Sequence, residues 1–307
     1  RNYNPLPVAI DYGEGVWVYD VEGNKYLDML AAYSALNQGH RHPRIINALI
    51  QQSGRLTISS RAFHNTIMGD FLEKLCRLSE YEKALPMNTG SEAVETALKA
   101  ARKWGYIKKG IPQNEGEIIV CSNNFHGRTI TIISFSSEEQ YKYGFGPYTP
   151  GFKMIGFGDS EALKNAINEK TVAFLVEPIQ GEGGVIVPPD GYLTEIRKIT
   201  KENNVLLILD EIQTGFGRTG KLFGYQYKDA KPDILVVGKA LGGGVYPVSA
   251  ILADKEIMSV FNPGDHGSTF GGNPIAAAVG MASIDVIVDE KLPERSMELG
   301  EYFKKCL

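Results

Sequence analysis

The sequence predicts an α/β protein with a mostly parallel central sheet, helices on both of its faces, and a small α+β part. Two observations carry this. Short strands of near-continuous Val, Ile and Leu recur between helical stretches, the pattern of strands buried on both faces. Glycine accounts for 34 of 307 residues, about 11% against roughly 7% in average usage. Sixteen of them fall between Gly181 and Gly272. Collagen needs Gly at every third position. This irregular enrichment suits loops that turn sharply or approach a ligand closely.

Residues 8–30 read as a small β unit, in which Val16–Asp20 and Lys25–Met29 form a hairpin around the four-residue turn Val21–Asn24. Helical spacing follows over Pro43–Ile50 and Phe71–Leu78. In Ser91–Trp104, Ala93, Val94, Ala97, Leu98 and Ala101 share one face. Strands are then expected over Glu117–Cys121, Thr129–Phe135, Thr171–Val176, Val205–Leu209, Asp233–Val237 and Val248–Leu252. Helices are expected over Ser160–Asn168 and Tyr192–Asn203. Leu292–Leu307 reads as a charged amphipathic helix that stops without a cap or Gly. That ending reads as the start of a C-terminal part continuing beyond Leu307. The expected organisation is an N-terminal segment over 1–42 belonging to the small domain, a large domain over 43–285, and the start of the C-terminal small domain over 286–307.

The charge balance, 32 Lys+Arg against 36 Asp+Glu, gives −4. It argues against nucleic acid or an anionic membrane as partner. No clean apolar run is longer than that of Val205–Leu209, far short of a membrane span. Cys76, Cys121 and Cys306 share no short spacing, which excludes a cysteine-based zinc site and fits a reducing compartment. The expected location is the cytoplasm, with the mitochondrial matrix as the alternative. No metal is expected.

One motif points elsewhere. Gly215-Phe-Gly217-Arg-Thr-Gly220 matches G-x-G-x-x-G, and Lys221 makes it almost a P-loop. The dinucleotide motif must follow a strand directly and open a helix. Here Asp210–Thr214 intervenes, and Lys221–Tyr227 is a poor helix. A P-loop needs Ser or Thr after the lysine, and Leu222 stands there.

The chemistry-bearing residues stand at expected strand ends. Lys239 follows Asp233–Val237 and precedes Ala-Leu-Gly-Gly-Gly244. A lysine at the carboxyl end of a buried strand is costly unless neutralised or used, and ligands of open α/β sheets bind at that edge. Val205–Leu209 ends at Asp210, with Gln213 one turn on. Asn88-Thr-Gly-Ser91 enters a helix, whose free N–H groups suit an anion. Phe125-His-Gly-Arg128 follows the Cys121 strand. Each piece alone has a plain structural reading: a solvated lysine, a capping Asp, an ordinary N-cap. Together they match what pyridoxal phosphate requires. A lysine forms the imine, an acid keeps the ring nitrogen protonated, a helix N-terminus holds the phosphate and an aromatic stacks on the ring. A nearby arginine takes a substrate carboxylate.

At Leu209–Gly220 and Val237–Gly244 the chain resembles the class III (ω-amino acid) aminotransferases of fold type I. Gln38–Pro43, Asn88–Gly90, Val176–Glu182 and His266–Pro274 fall in that family's order. Asn2–Val8, Ala32–His40 and Tyr148–Phe152 are most similar to its ornithine-using branch. Branches acting on N-acetylornithine or 4-aminobutyrate are the alternatives. The resemblance implies pyridoxal 5'-phosphate and a homodimer or higher homo-oligomer. It also implies two-step transfer of the δ-amino group of L-ornithine to 2-oxoglutarate. Lys239 would be the imine lysine, Asp210 the partner of the ring nitrogen and Gln213 that of the ring hydroxyl. Gly90 and Ser91 would hold the phosphate, and Ser268 and Thr269 would reach the neighbouring subunit's cofactor. Phe125 would stack on the ring. His126 would also touch the cofactor, where relatives often carry another aromatic. Tyr3 and Arg128 would grip the α-amino acid end of the substrate, and Tyr33 would shape the pocket. Glu182 would be a gate pairing with an arginine beyond Leu307.

Overall fold

A computed structural model describes residues 3–307. Arg1 and Asn2, the latter opening the first stretch shared with the family, lie outside the described residues. The chain begins with an antiparallel meander of β1 (Ile10–Glu14), β2 (Trp17–Asp20) and β3 (Lys25–Leu27). Its expected hairpin turn is held by Asp20, whose carboxylate accepts the Glu22 and Asn24 N–H groups at 3.0 and 2.9 Å.

The central sheet contains β4 (Lys83–Met87), β5 (Glu117–Cys121), β6 (Phe152–Ile155), β7 (Thr171–Val176), β8 (Leu206–Asp210), β9 (Ile234–Val237) and β10 (Ser249–Ala253), in the order β4-β10-β9-β8-β7-β5-β6. From β9 to β6 the pairs are parallel; β10 runs antiparallel to both neighbours. The mostly parallel sheet is therefore present, with one reversed strand. Successive side chains face opposite sides. Ile119, Phe174, Leu207 and Leu235 join the core under helices Met68–Ser79, Tyr192–Glu202 and Pro274–Asp289. Ile118, Ala173, Ile208 and Val236 join the core under the Gly90–Ile107 helix. This two-sided burial explains why the strands read as unbroken apolar runs.

Four segments differ from expectation. Thr129–Phe135, expected as a strand, contains a helix at Ile130–Ser134. Its β-branched run favours a strand locally. Both edges of β5 are already taken by β6 and β7, so the next segment has no ladder to join. It buries Ile132, Ile133 and Phe135 instead. The edge strands β4 and β6 lack a continuous Val/Ile/Leu run, and β4 contains Pro86, which an edge tolerates. The Pro274–Asp289 helix has almost no polar face because neighbours cover it on most sides, with residues from Pro274 to Ile287 buried. A helix apolar all round has no amphipathic stripe to read. Asn273 caps it by accepting the Ala276 N–H at 3.0 Å. The boundary expected after residue 285 falls inside this helix. Among the described residues no helix is long and apolar enough to cross a membrane.

Candidate active site

A cavity of about 390 Å³ opens at the carboxyl ends of the parallel strands, the usual ligand position in such sheets. It is lined by Lys239, Asp210, Gly90, Ser91, Phe125, His126, Gln213, Tyr3, Tyr33, Arg128 and Glu182. These belong to seven stretches of chain remote in sequence. Ser268 and Thr269 do not line it. Ser268 Oγ accepts the Asn88 side-chain amide at 2.9 Å behind the phosphate helix, and Thr269 is exposed.

The acid comes from β8, whose last residue is Asp210. One carboxylate oxygen accepts the Ile212 N–H at 3.0 Å; the other lies 2.7 Å from His126 Nδ1. Both side chains are almost wholly shielded from water. Burial favours the neutral imidazole. The Asp210 hydrogen bond and the charges of Asp210 and Glu177 outweigh it and raise the His126 pKa. His126 thus meets the Asp210 carboxylate through Nδ1 while also lining the cavity.

Lys239 follows β9 after Gly238 and is held at φ 44°, a region L-residues rarely occupy and one that collects at functional sites. Burial lowers its pKa, while Glu182, Asp210 and Glu177 oppose that shift. An amine kept less basic than usual suits proton transfer and imine chemistry.

The Gly90–Ile107 helix begins one residue earlier than expected. Thr89 and Glu92 form a reciprocal cap, with the Glu92 N–H donated to Thr89 Oγ1 at 3.2 Å and the Thr89 N–H to Glu92 Oε2 at 2.9 Å. This capping box satisfies the outer donors. Gly90 and Ser91 line the cavity at the positive end of an 18-residue helix, where the first N–H groups lack intrahelical partners.

Gln213 donates to Glu182 Oε1 at 3.0 Å. Gly181 makes room for it, because a Cβ there would lie 1.5 Å from Gln213 Oε1. Arg128 is steadied by aromatics, its guanidinium 4.3 Å from the Tyr141 ring centre and 5.8 Å from that of Phe125.

The cavity also contains residues to which the sequence reading gave no role. Ile212 supplies an apolar wall, and Glu177, directly after β7, is buried. Both lie inside quoted motifs, but neither residue type signals a site by itself. The G-x-G-x-x-G loop is packed instead. Asn37 donates to Phe216 O at 2.9 Å and Ser296 to Arg218 O at 3.1 Å. The chain then enters only a short 3-10 turn at Gly224–Tyr227, so no helix N-terminus offers a phosphate site there.

Among the described residues no cluster of His, Cys, Asp and Glu is arranged to hold a metal. The donor set fits pyridoxal phosphate: open N–H groups on a helix start, a buried carboxylate braced from behind, a buried lysine, and apolar groups for ring faces.

Comparisons agree with this geometry. The profile of the aminotransferase class-III family matches residues 1–307. An ornithine aminotransferase of Brevibacillus brevis is 61% identical over the whole chain, which spans 77% of that protein. A crystal structure of the ornithine aminotransferase from Toxoplasma gondii ME49 superposes with a TM-score of 0.99 at 48% identity, covering all of this chain and 73% of that one. An acetylornithine aminotransferase from Elizabethkingia anophelis gives 0.89 at 51% identity over 99% of this chain and 74% of that one. The strand-end lysine and acid thus sit in a scaffold with close relatives throughout, and the chain belongs to the class III aminotransferases, enzymes that use pyridoxal phosphate.

Proposed function

We propose that this chain is an ornithine aminotransferase. It transfers the δ-amino group of L-ornithine to 2-oxoglutarate, giving glutamate 5-semialdehyde and glutamate, and serves the two substrates in turn. The observation that carries the reading is the shared cavity of Lys239, Asp210 and the Gly90–Ser91 helix start, with Arg128 at its rim. The 61% identity to an ornithine aminotransferase supports the choice of substrate.

The cofactor, when bound, supplies a carbonyl for amines to condense with and an electron sink for the carbon that loses its proton. The chain supplies the rest. Asp210, braced by His126, accepts a hydrogen bond from a protonated ring nitrogen. The N–H groups of Gly90 and Ser91 bind the phosphate. Phe125 and Ile212 shield the ring faces from water, and Gln213 donates to the ring hydroxyl. Lys239 Nζ would hold the cofactor's carbonyl carbon and, as an amine of lowered basicity, would move the proton of the substrate's δ-carbon. Arg128 and Tyr3 hold the α-carboxylate end, which leaves the δ-amine at Lys239, and Tyr33 narrows the pocket. Glu182 is a gate: paired with an arginine it presents little charge to ornithine, and swung away it frees that arginine for the second carboxylate of 2-oxoglutarate. Ser268 and Thr269 serve the cofactor of a neighbouring copy, so the working form is a homodimer. Its location is the cytoplasm, in keeping with three unpaired cysteines.

The test is Lys239→Ala. It should abolish the visible cofactor band, borohydride trapping and turnover; surviving turnover would refute the assignment. A donor panel read as single-turnover conversion fixes the substrate. Faster reaction of N-acetylornithine or 4-aminobutyrate than of ornithine would move the chain to another branch.

A further inference from the structure

The mechanism above leaves one cavity carboxylate unused. Glu177 follows β7, is only 7% exposed, and faces the same cavity as Lys239 and Asp210. Its Oε2 accepts the Phe125 N–H at 3.1 Å. One side chain thus ties together two loops. The first carries Phe125, His126 and Arg128; the second carries Gly181 and Glu182. Both loops leave the ends of neighbouring strands, β5 and β7, and few other side-chain bonds cross between them. Gln180 adds another, donating to Ser122 O at 2.7 Å.

The charges around Glu177 belong to a single group. His126 is wholly buried, and its Nδ1 meets Asp210 at 2.7 Å. Its Nε2 is buried with no partner among the described residues. Asp210 and Glu177 both act on this imidazole, and Lys239 feels Glu182, Asp210 and Glu177 together. Two buried carboxylates facing one imidazole and one amine cannot all hold their charges independently. Burial, reinforced by the Asp210 charge and opposed by that of His126, pushes the Glu177 carboxyl up to about 7. Glu211, also raised to about 7, points away. It accepts the N–H groups of Gly224 and Tyr225 at 2.7 and 2.8 Å and does not line the cavity.

We propose that Glu177 is a positioning residue of the cofactor site: its buried carboxyl clips the Phe125 and Gly181 loops together and shares protons with the His126–Asp210 pair, so its ionisation sets the charge that faces Lys239. This rests on the reading of Lys239 as the lysine that binds the cofactor. An ionised Glu177 stabilises positive charge on the lysine–cofactor linkage. A neutral side chain of the same shape removes that help.

The experiment is a pH titration of the visible cofactor band of the holoenzyme, with Glu177→Gln, Glu177→Asp and Glu211→Gln beside the unaltered chain. Glu177→Gln keeps an acceptor for the Phe125 N–H. It should keep the band but move its midpoint to lower pH by about one unit. Glu177→Asp, which keeps the charge, should bring the midpoint most of the way back to that of the unaltered chain, and Glu211→Gln should leave the midpoint in place. A midpoint unchanged in Glu177→Gln, or moved equally by Glu177→Asp, would overturn the proposal and leave Glu177 a loop clip only. A band absent from the unaltered chain would overturn the reading of Lys239 along with it. If Glu177→Gln fails to fold, infrared difference spectra of the unaltered holoenzyme decide. A buried carboxylic C=O band titrating in step with the visible band supports the proposal, and its absence overturns it.

Discussion

His126 Nδ1 stands 2.7 Å from Asp210 Oδ2, with the imidazole fully buried and the carboxylate nearly so. An acid at a strand end becomes a fixed acceptor only when its second oxygen is held, and here the holder is 84 residues earlier in the chain. Replacing His126 with Ala leaves Asp210 with the Ile212 N–H alone. Losing one partner of a buried charged pair costs about 1–3 kcal/mol, so cofactor affinity should fall roughly tenfold to a hundredfold. His126→Gln, which can still donate, should lose less. Cofactor release followed by absorbance measures both. Equal losses would show that shape alone matters at this position.

Arg128 is fixed by the Tyr141 ring at 4.3 Å rather than by a carboxylate. A lysine there keeps the charge but loses the two-pronged grip on a carboxylate. Arg128→Lys should lower kcat/KM for ornithine by roughly tenfold or more and spare an ω-monoamine that has no α-carboxylate. Steady-state kinetics with both donors test this, and parallel losses would remove Arg128 from the carboxylate site.

Gly181 and Gln213 make a local steric prediction. The Cβ of Gly181→Ala would meet the Gln213 carboxamide at 1.5 Å. The carboxamide is the movable end of a flexible side chain, so it should swing out, break its bond to Glu182 and leave the ring hydroxyl without a donor. Activity should drop roughly tenfold, equivalent to about 1.4 kcal/mol in the barrier. Stability should change little. A large fall in Tm with unchanged kcat would contradict the account.

The pH dependence of stability follows from Glu211. It is fully buried, and burial, opposed by the N–H groups of Gly224 and Tyr225 and the Thr214 hydroxyl, raises its pKa to about 7. Unfolded, it titrates at the ordinary 4.5. Between these values the folded chain keeps a proton that the unfolded chain releases. Its contribution is complete below about 4.5 and is lost as pH rises through about 7, on the order of 3 kcal/mol in all. The apo protein should therefore melt at a lower temperature at pH 8 than at pH 5.5, and Glu211→Gln should flatten that slope. An unchanged slope would assign the titration elsewhere.

Much of the fold was legible because burial on both sheet faces demands apolar strands, and Glu117–Cys121, Thr171–Val176 and Leu206–Asp210 say so directly. Edge strands β4 and β6 and the wrapped helix Pro274–Asp289 carry no such pattern, since their residues answer to particular neighbours. The same division runs through the site. Lys239, Asp210 and the Asn88–Ser91 helix start announce themselves locally, as charges at strand ends and a capping run before a helix. Glu177 and Ile212 do not.

The sequence by itself determined the alternation of strands and helices, the residues at the strand ends and the chemistry they can perform, because propensity, period and charge are local properties. Only the tertiary structure decided that Thr129–Phe135 contains a helix, that the glycine-rich loop at Gly215 is packed by Asn37 and Ser296, and that His126 meets Asp210. Each of those outcomes depends on which edges, cavities and charges are already occupied by residues distant in the chain, and no local pattern encodes that occupancy.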